Sequence, residues 1–117
     1  MKVTQCPFCK EHLHIEKVKC HKCNISIEGD FYTSPIMSLK EDYQSFIELF
    51  VLSSGSLKEM AKIMGVTYPT VRARLDQIIE ELKNIMKNRE DYKKDILEKV
   101  EAGQITAEKA AEIIENL

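Results

Sequence analysis

The chain has 117 residues, of which 44% are hydrophobic and 31% are charged. This composition is typical of a soluble globular protein, and the length accommodates one domain or two small ones. No apolar run approaches the roughly 18 residues that a membrane span requires. No signal-peptide core is found at the N-terminus. The sequence therefore predicts a cytoplasmic protein that does not enter a membrane.

The formal net charge of −2 is not typical of a nucleic-acid-binding protein. The acidity, however, is concentrated at the end of the chain, where residues 90–117 contain four Lys and eight acidic residues. Residues 69–89 contain five basic and three acidic residues. Because a DNA-binding surface needs only a local positive patch, the composition leaves DNA binding open.

The four cysteines form two C-x2-C pairs with ten residues between them, at Cys6, Cys9, Cys20 and Cys23. A two-residue gap lets both thiolates of a pair reach one tetrahedral ion at a Zn–S distance of about 2.3 Å. So short a segment has too little core to fold alone, and metal binding would supply much of its folding free energy. We predict an N-terminal zinc ribbon over residues 1–32. With four thiolate ligands the zinc is structural, because no position remains for a catalytic water.

Other roles for the cysteines are less consistent with the sequence. Disulfides do not persist in a reducing cytoplasm, and a redox C-x-x-C normally stands as one pair beside a βαβ pattern. Iron in a four-thiolate site is the remaining alternative. Residues 12–19 alternate polar and apolar as in a half-buried hairpin. This pattern puts His12 and His14 on the exposed side, and we expect neither these nor His21 to bind metal.

The stretch from residue 56 to residue 82 has the pattern of a helix-turn-helix. Ser56 and Glu59 form a capping box, and Gly65 provides the positive φ of a tight turn. Thr67 can cap the second helix, with Pro69 in its first turn. Apolar residues at helical spacing mark the inner faces of the two helices: Leu57, Met60, Ala61, Met64, Val71, Leu75, Ile78 and Leu82.

A plain helical hairpin is the alternative for this stretch. The small Ala61 four residues before Gly65, and Val71 six after it, resemble the helix-turn-helix of bacterial repressors, where a small residue lets two helices cross closely. Upstream, Ser38 and Glu41 form a second capping box, which predicts a helix from Leu39 to about Ser53. The sequence thus predicts a three-helix core in a domain spanning residues 38–88.

The second helix of the motif is predicted to continue to about Lys87, beyond what a helix-turn-helix needs. Its distal apolar residues are spaced as a short a/d repeat and require a partner. We predict a homodimer through Ile78, Ile79, Leu82, Ile85 and Met86. A C-terminal helical hairpin over residues 90–117, with Thr106 as a cap, is the competing partner, and it can pack in the same chain or be exchanged between subunits.

The predicted fold is mainly α with a small β zinc ribbon. Several motifs together suggest a family: C-P-x-C, C-x-x-C, the linker Pro35, T-Y-P-T-V-R-A-R-L-D, and I-L-x-x-V-E-x-G-x-I-T-A-E-x-A. Over nearly its full length the chain resembles the small prokaryotic zinc-ribbon and helix-turn-helix proteins of the domain of unknown function 2089 family. The resemblance implies this architecture and transcriptional regulation.

The second motif helix is expected to lie in the major groove of duplex DNA. From the resemblance to repressor helices, we expect Tyr68, Arg72 and Ala73 on the outward face of this helix. Arg72 is suited to a guanine edge and the Ala73 methyl to a thymine methyl. Asp76, one turn beyond Arg72, would repel phosphates. The predicted phosphate or flank contacts are Thr67, Thr70, Arg74, Lys58 and Lys62.

A function of a different class is a protein-interaction adaptor. There the helix-turn-helix is only a scaffold, and the ribbon or tail binds the transcription machinery. The acidic tail favours this alternative, whereas the cluster of Arg and hydroxyl side chains on one helix favours DNA. An enzyme is not expected, because the sequence has no nucleophile–base spacing, phosphate-binding glycine loop or open metal site.

Overall fold

The structure is a computed structural model that describes residues 4–116. Two short strands come first, β1 (Lys17–Cys20) and β2 (Ile25–Glu28), followed by a 3-10 helix (Pro35–Ser38). Five helices complete the chain: α1 (Glu41–Leu52), α2 (Leu57–Met64), α3 (Tyr68–Asn88), α4 (Glu90–Glu101) and α5 (Ala107–Glu115). The predicted fold class, mainly α with a small β ribbon, is confirmed. None of the helices within residues 4–116 is long and apolar enough to span a membrane.

The two strands form an antiparallel hairpin in which Val18 pairs with Ile27 and Cys20 with Ile25. A hairpin within residues 12–19, between the cysteine pairs, was the wrong expectation, because the observed hairpin encloses the second pair. An isolated bridge between Gln5 and His12 brackets the first pair. The strands are also exposed along their whole length rather than half-buried.

Helices α1, α2 and α3 enclose one apolar core, as predicted. The 3-10 helix packs on α3, and Leu39 enters the core directly after it. The core side chains are Leu39, Phe46, Met60, Ala61, Val71, Ile78 and Ile85. Leu39, Met60 and Val71 are fully buried. At roughly 1.5–3 kcal/mol for each large apolar side chain removed from water, this cluster is the main source of stability in the helical part.

The start of α1 differs from the prediction. Ser38 does not cap a helix that begins at Leu39; it ends the 3-10 helix, and α1 begins at Glu41 without a side-chain cap. The Gln44 amide instead donates to the carbonyls of Leu39, at 2.8 Å, and Met37, at 3.2 Å. A side chain from inside α1 therefore holds the preceding turn in place.

The tail forms the predicted helical hairpin within the chain. Thr106 caps α5 by accepting a hydrogen bond from the Lys109 amide at 3.1 Å. Helix α4 packs against both α5 and α3, and Ile96 and Ala110 are buried. In the single chain the hairpin thus packs on its own α3, and exchange of the tail between subunits stays a prediction.

Candidate metal centre and nucleic-acid interface

Each cysteine pair lies in a tight turn, in which the sulfur of the first cysteine accepts backbone hydrogen bonds. The Phe8 amide lies 3.4 Å from Cys6 Sγ. The residue that follows each pair adopts a positive φ, 66° at Lys10 and 56° at Asn24. This conformation turns the chain back after the second cysteine and closes the turn. The two turns are therefore built alike, as two halves of one metal site require.

Hydrogen bonds lower the pKa of one thiol in each turn. The backbone amide of Cys9, followed by that of Phe8, lowers the pKa of Cys6. The backbone amide of Cys23, followed by that of Lys22, lowers the pKa of Cys20. Donors directed at sulfur favour the thiolate, which is the form that binds metal.

The structure brings Cys6 together with Cys9 and Cys20 together with Cys23, but it does not join the two pairs. Within residues 4–116, no group of three or more Cys, His, Asp or Glu side chains is arranged to hold a metal ion. The donors fit zinc in kind, since four thiolates in two such turns are a structural zinc set. A single four-thiolate site requires the two turns to approach each other, and it stays a prediction.

The turn between α2 and α3 has the geometry that the sequence predicted. Ser56 Oγ accepts a hydrogen bond from the Glu59 amide at 3.1 Å, although the Glu59 carboxylate pairs with Lys62 instead of completing the capping box. Gly65 is left-handed at φ 69°, ψ 31°. The amide of Val66 reaches the Ala61 carbonyl at 3.1 Å. This pattern ends α2 in a Schellman turn and sets the direction of α3.

All eight predicted DNA contacts are solvent-exposed: Lys58, Lys62, Thr67, Tyr68, Thr70, Arg72, Ala73 and Arg74. Thr67 is the N-cap residue of α3, but its hydroxyl does not cap the helix. It lies 2.9 Å from the hydroxyl of Thr70. The two hydroxyls thus form a polar pair on the first turn of α3.

The charged residues of this surface differ in their partners. Arg72 Nη2 lies 3.2 Å from Asp76 Oδ1, and Lys62 Nζ lies 3.6 Å from a carboxylate oxygen of Glu59. Arg74 and Lys58 have no carboxylate within 4 Å in the described part of the chain. Arg74 is therefore free to meet a phosphate, whereas Arg72 already has a partner.

Gln77 is a further residue of this surface that the sequence did not indicate. A shallow depression on α3 is lined by Pro69, Thr70, Ala73, Arg74 and Gln77. Gln77 lies two turns beyond Thr70 on the same side, and that spacing of seven was the available signal. Its amide can both donate to and accept from a base edge.

Two of the residues predicted to form a dimer are not available to a partner. Ile78 and Ile85 are 2% and 8% exposed and belong to the core of the chain itself. Leu82 packs against that core, while Met86 is half-buried and Ile79 is 37% exposed. The apolar surface left for a second subunit is therefore smaller than the sequence suggested.

Arg89, the single residue between α3 and α4, contacts the end of the ribbon at Tyr32. Its Nε and Nη2 lie 2.9 Å and 2.6 Å from the carboxylate oxygens of Asp91. Its guanidinium lies 5.4 Å from the centroid of the Tyr32 ring. His12 and His14 are exposed and line the cleft beside this contact. Nothing in the sequence near residue 89 indicated the link, because Tyr32 lies far away along the chain.

An exposed two-cysteine-pair ribbon followed by a helix-turn-helix and a helical hairpin defines the class of small zinc-ribbon and helix-turn-helix proteins. Three family models match consecutive parts of the chain. The "DUF2089 zinc ribbon" model matches residues 6–37, the "Domain of unknown function (DUF2089)-HTH" model residues 39–85, and the "SHOCT-like domain" model residues 91–117. The chain belongs to the DUF2089 family. Comparisons with curated proteins and with solved structures found no match.

Proposed function

We propose that this protein is a DNA-binding transcriptional regulator that contacts duplex DNA through α2 and α3, with the zinc ribbon as a structural module. The observation that carries the proposal is the first two turns of α3. They follow directly from the turn at Gly65 and present hydroxyl, aromatic and guanidinium side chains to solvent. These are the groups that contact phosphates and base edges in the major groove.

The distribution of charge along α3 supports insertion of its N-terminal half. Residues 68–74 contain two Arg and no acidic residue, whereas residues 76–81 contain Asp76, Glu80 and Glu81 and no basic residue. Phosphates attract the first segment and repel the second. Phosphate contacts are therefore expected at the start of the helix, as in other helix-turn-helix proteins.

The positions around α3 also suit a groove. At about 100° per residue, Arg72 and Arg74 lie on opposite flanks of the helix, with Ala73 between them on the outermost side. A helix of about 10–12 Å diameter fits a major groove about 12 Å wide. Ala73 then faces the floor of the groove, and the two long guanidinium side chains flank it, where they can reach base edges or phosphates.

Selection from random duplexes at low salt, followed by affinity measurements, tests the proposal. Arg72→Ala is expected to cost about 1–3 kcal/mol and to relax the preference at one position. Lys62→Ala is expected to weaken binding to all sequences alike and to lower the salt slope by about one unit. Lys94→Ala removes one positive charge from the exposed surface of α4 and is the control. It is expected to leave the sequence preference and the salt slope unchanged. A wild-type protein that enriches no sequence contradicts the proposal.

The second candidate function is an adaptor that binds the transcription machinery. Several large apolar side chains of the described residues are strongly exposed, among them Phe8 at 93%, Val51 at 68% and Leu52 at 82%. Such side chains at an interface supply binding free energy. Failure to bind any duplex, together with binding to purified RNA polymerase that Leu52→Ser weakens, would favour this function.

A homodimer is part of the proposed mechanism, because one small helix-turn-helix covers little DNA and dimers contact two half-sites about 34–36 Å apart. Ile79 and Met86 are the apolar side chains of distal α3 that remain outside the core cluster. Light scattering at micromolar concentration tests the dimer. Ile79→Asp is expected to dissociate it, and this variant is preferable to Leu82→Asp because Leu82 packs against the core. A wild type that is monomeric at these concentrations would exclude this part of the mechanism.

A further inference from the structure

Asp76 lies on the outward side of α3, one helical turn after Arg72. At about 100° of rotation per residue, Arg72 lies about 100° around the helix from Val71, and Asp76 lies about 140° on the same side. Val71 is fully buried. Asp76 therefore points further from the core than Arg72 does. In a helix seated in the major groove, the Asp76 carboxylate is directed at base edges more than at the phosphate walls.

The ion pair between these residues has little structural role. Arg72 Nη2 and Asp76 Oδ1 are 3.2 Å apart, and their side chains are 52% and 55% exposed. Exposed pairs of this kind contribute little to stability. Within residues 4–116, Arg72 is also the only cation within 4 Å of the Asp76 carboxylate. Only Nη2 is engaged, so the guanidinium keeps further N–H donors for a base.

A carboxylate in the major groove discriminates strongly between bases because it only accepts hydrogen bonds. Guanine presents two acceptors there and thymine an acceptor and a methyl group, so both disfavour it. Adenine presents a donor beside the acceptor N7. Cytosine presents the N4 amino group as a donor, with no acceptor beside it. Cytosine is therefore the base that suits Asp76.

The spacing of the two side chains matches neighbouring base pairs. The four residues from Arg72 to Asp76 advance about 6 Å along the helix axis, which is less than two base-pair steps of about 3.4 Å. Arg72 as donor and Asp76 as acceptor therefore reach different base pairs of one short sequence. Their ion pair places the two side chains next to each other on the surface of α3.

We infer that Asp76 is a specificity-determining residue that accepts a hydrogen bond from N4 of a cytosine within two base pairs of the guanine bound by Arg72. The inference rests on the proposed DNA-binding function and deepens it. The negative charge also lowers affinity for sequences that place an acceptor at this position, and specificity is gained by this repulsion as well as by the new hydrogen bond.

Selection from random duplexes with wild type, Asp76→Ala, Arg72→Ala and Asp95→Ala tests the inference. Asp95 is the matched control, since it forms an ion pair of the same 3.2 Å length with Lys99 at a four-residue spacing on α4. Asp76→Ala is expected to lose the preference for cytosine by at least about fivefold, the lower end of the usual effect of one mismatched base pair. It keeps the preference for guanine and binds random duplex more tightly. Asp95→Ala keeps both preferences.

Two results would overturn the inference while leaving the proposed function in place. One is an Asp76→Ala variant that enriches the same sequence as wild type. The other is a uniform gain in affinity for every sequence, equal to that of Asp95→Ala, which would show that Asp76 acts only as a charge. A wild type that binds no duplex overturns the proposed function and the inference together. Circular dichroism of each variant confirms that α3 is intact.

Discussion

The zinc ribbon and the helical block are stabilised in different ways. In residues 4–30 no described residue is buried, and even Cys9, Cys20 and Cys23 are exposed. In the block formed by α1, α2 and α3, seven apolar side chains form a buried cluster. A segment without a core depends on a cross-link or a metal, whereas the helical block holds its shape by apolar burial. The two parts should therefore respond differently to the same kind of perturbation.

The largest difference is expected for Cys20→Ser. Removing one thiolate leaves an incomplete zinc set, and because metal binding supplies the folding free energy of such segments, residues 4–30 should lose their structure. The helices have their own core and should remain folded. Elemental analysis should find one zinc per chain in wild type and none in the variant, while far-UV circular dichroism keeps most of its helical signal.

His21→Ser is the control for this experiment, because His21 lies between Cys20 and Cys23 and is exposed. It should retain the zinc. A loss of helical signal in Cys20→Ser would instead show that ribbon and helices unfold as one cooperative unit.

The second effect concerns the core. Met60 is fully buried and Ile63, on the same helix, is 63% exposed. Met60→Ala should destabilise the helical block by about 2–5 kcal/mol. Ile63→Ala should change the free energy of unfolding by no more than about 0.5 kcal/mol. Urea denaturation followed at the helical signal measures both, and zinc content should stay unchanged in each. Equal effects at the two positions would contradict the observed orientation of α2.

The third effect is smaller and concerns the N-termini of the two helices of the helix-turn-helix. Ser56 caps α2 by accepting a hydrogen bond from the Glu59 amide, so Ser56→Ala should cost about 0.5–2 kcal/mol. The Thr67 hydroxyl contacts Thr70 and not a helix amide, so Thr67→Ala should cost less. Thermal unfolding compares the two variants directly. A larger loss in Thr67→Ala would show that its hydroxyl caps α3 in solution.

The features that the sequence predicted correctly are local ones. Ser56, Gly65 and Thr106 each act within four residues of their own position, and their roles follow from backbone hydrogen bonds that every helix end must satisfy. The inward faces of α2 and α3 follow in the same way from periodicity. For the candidate interface, exposure of the predicted contacts follows from that periodicity too.

The features that the sequence missed depend on groups brought together by folding. Ser38 and Glu41 have capping-box spacing, yet the Gln44 amide holds the preceding turn and α1 starts later. Ile78 and Ile85 continue the regular apolar stripe of α3, which the sequence assigned to a dimer. They are buried instead in the core of the chain, where the 3-10 helix packs on α3 and Leu39 joins the cluster. The stripe itself does not predict these neighbours. The contact between Tyr32 and Arg89 joins residues that no sequence pattern relates.

The smallest effect is expected for the ion pair between Asp91 and Arg89, the residue that also contacts Tyr32. Hydrogen bonds from Arg89, the largest contribution, lower the pKa of Asp91 below its ordinary value of 3.8. A carboxyl whose pKa is lowered in the folded chain stabilises the fold at pH values above its ordinary pKa. This contribution is lost as the pH falls through the pKa of the folded chain. The midpoint of thermal unfolding of wild type should therefore fall more steeply below about pH 4 than that of Asp91→Asn.

Because Asp91 is 53% exposed, solvent screening limits its contribution to at most about 1 kcal/mol, a change of a few degrees in the midpoint. Asp42→Asn is the matched control, since Asp42 lies in the first turn of α1 as Asp91 does in that of α4, and the helix dipole acts on both alike. Asp42 has no Arg or Lys within 4 Å in the described chain. If both variants show the same acid dependence, the dipole alone explains it, and the ion pair between Arg89 and Asp91 adds nothing to stability.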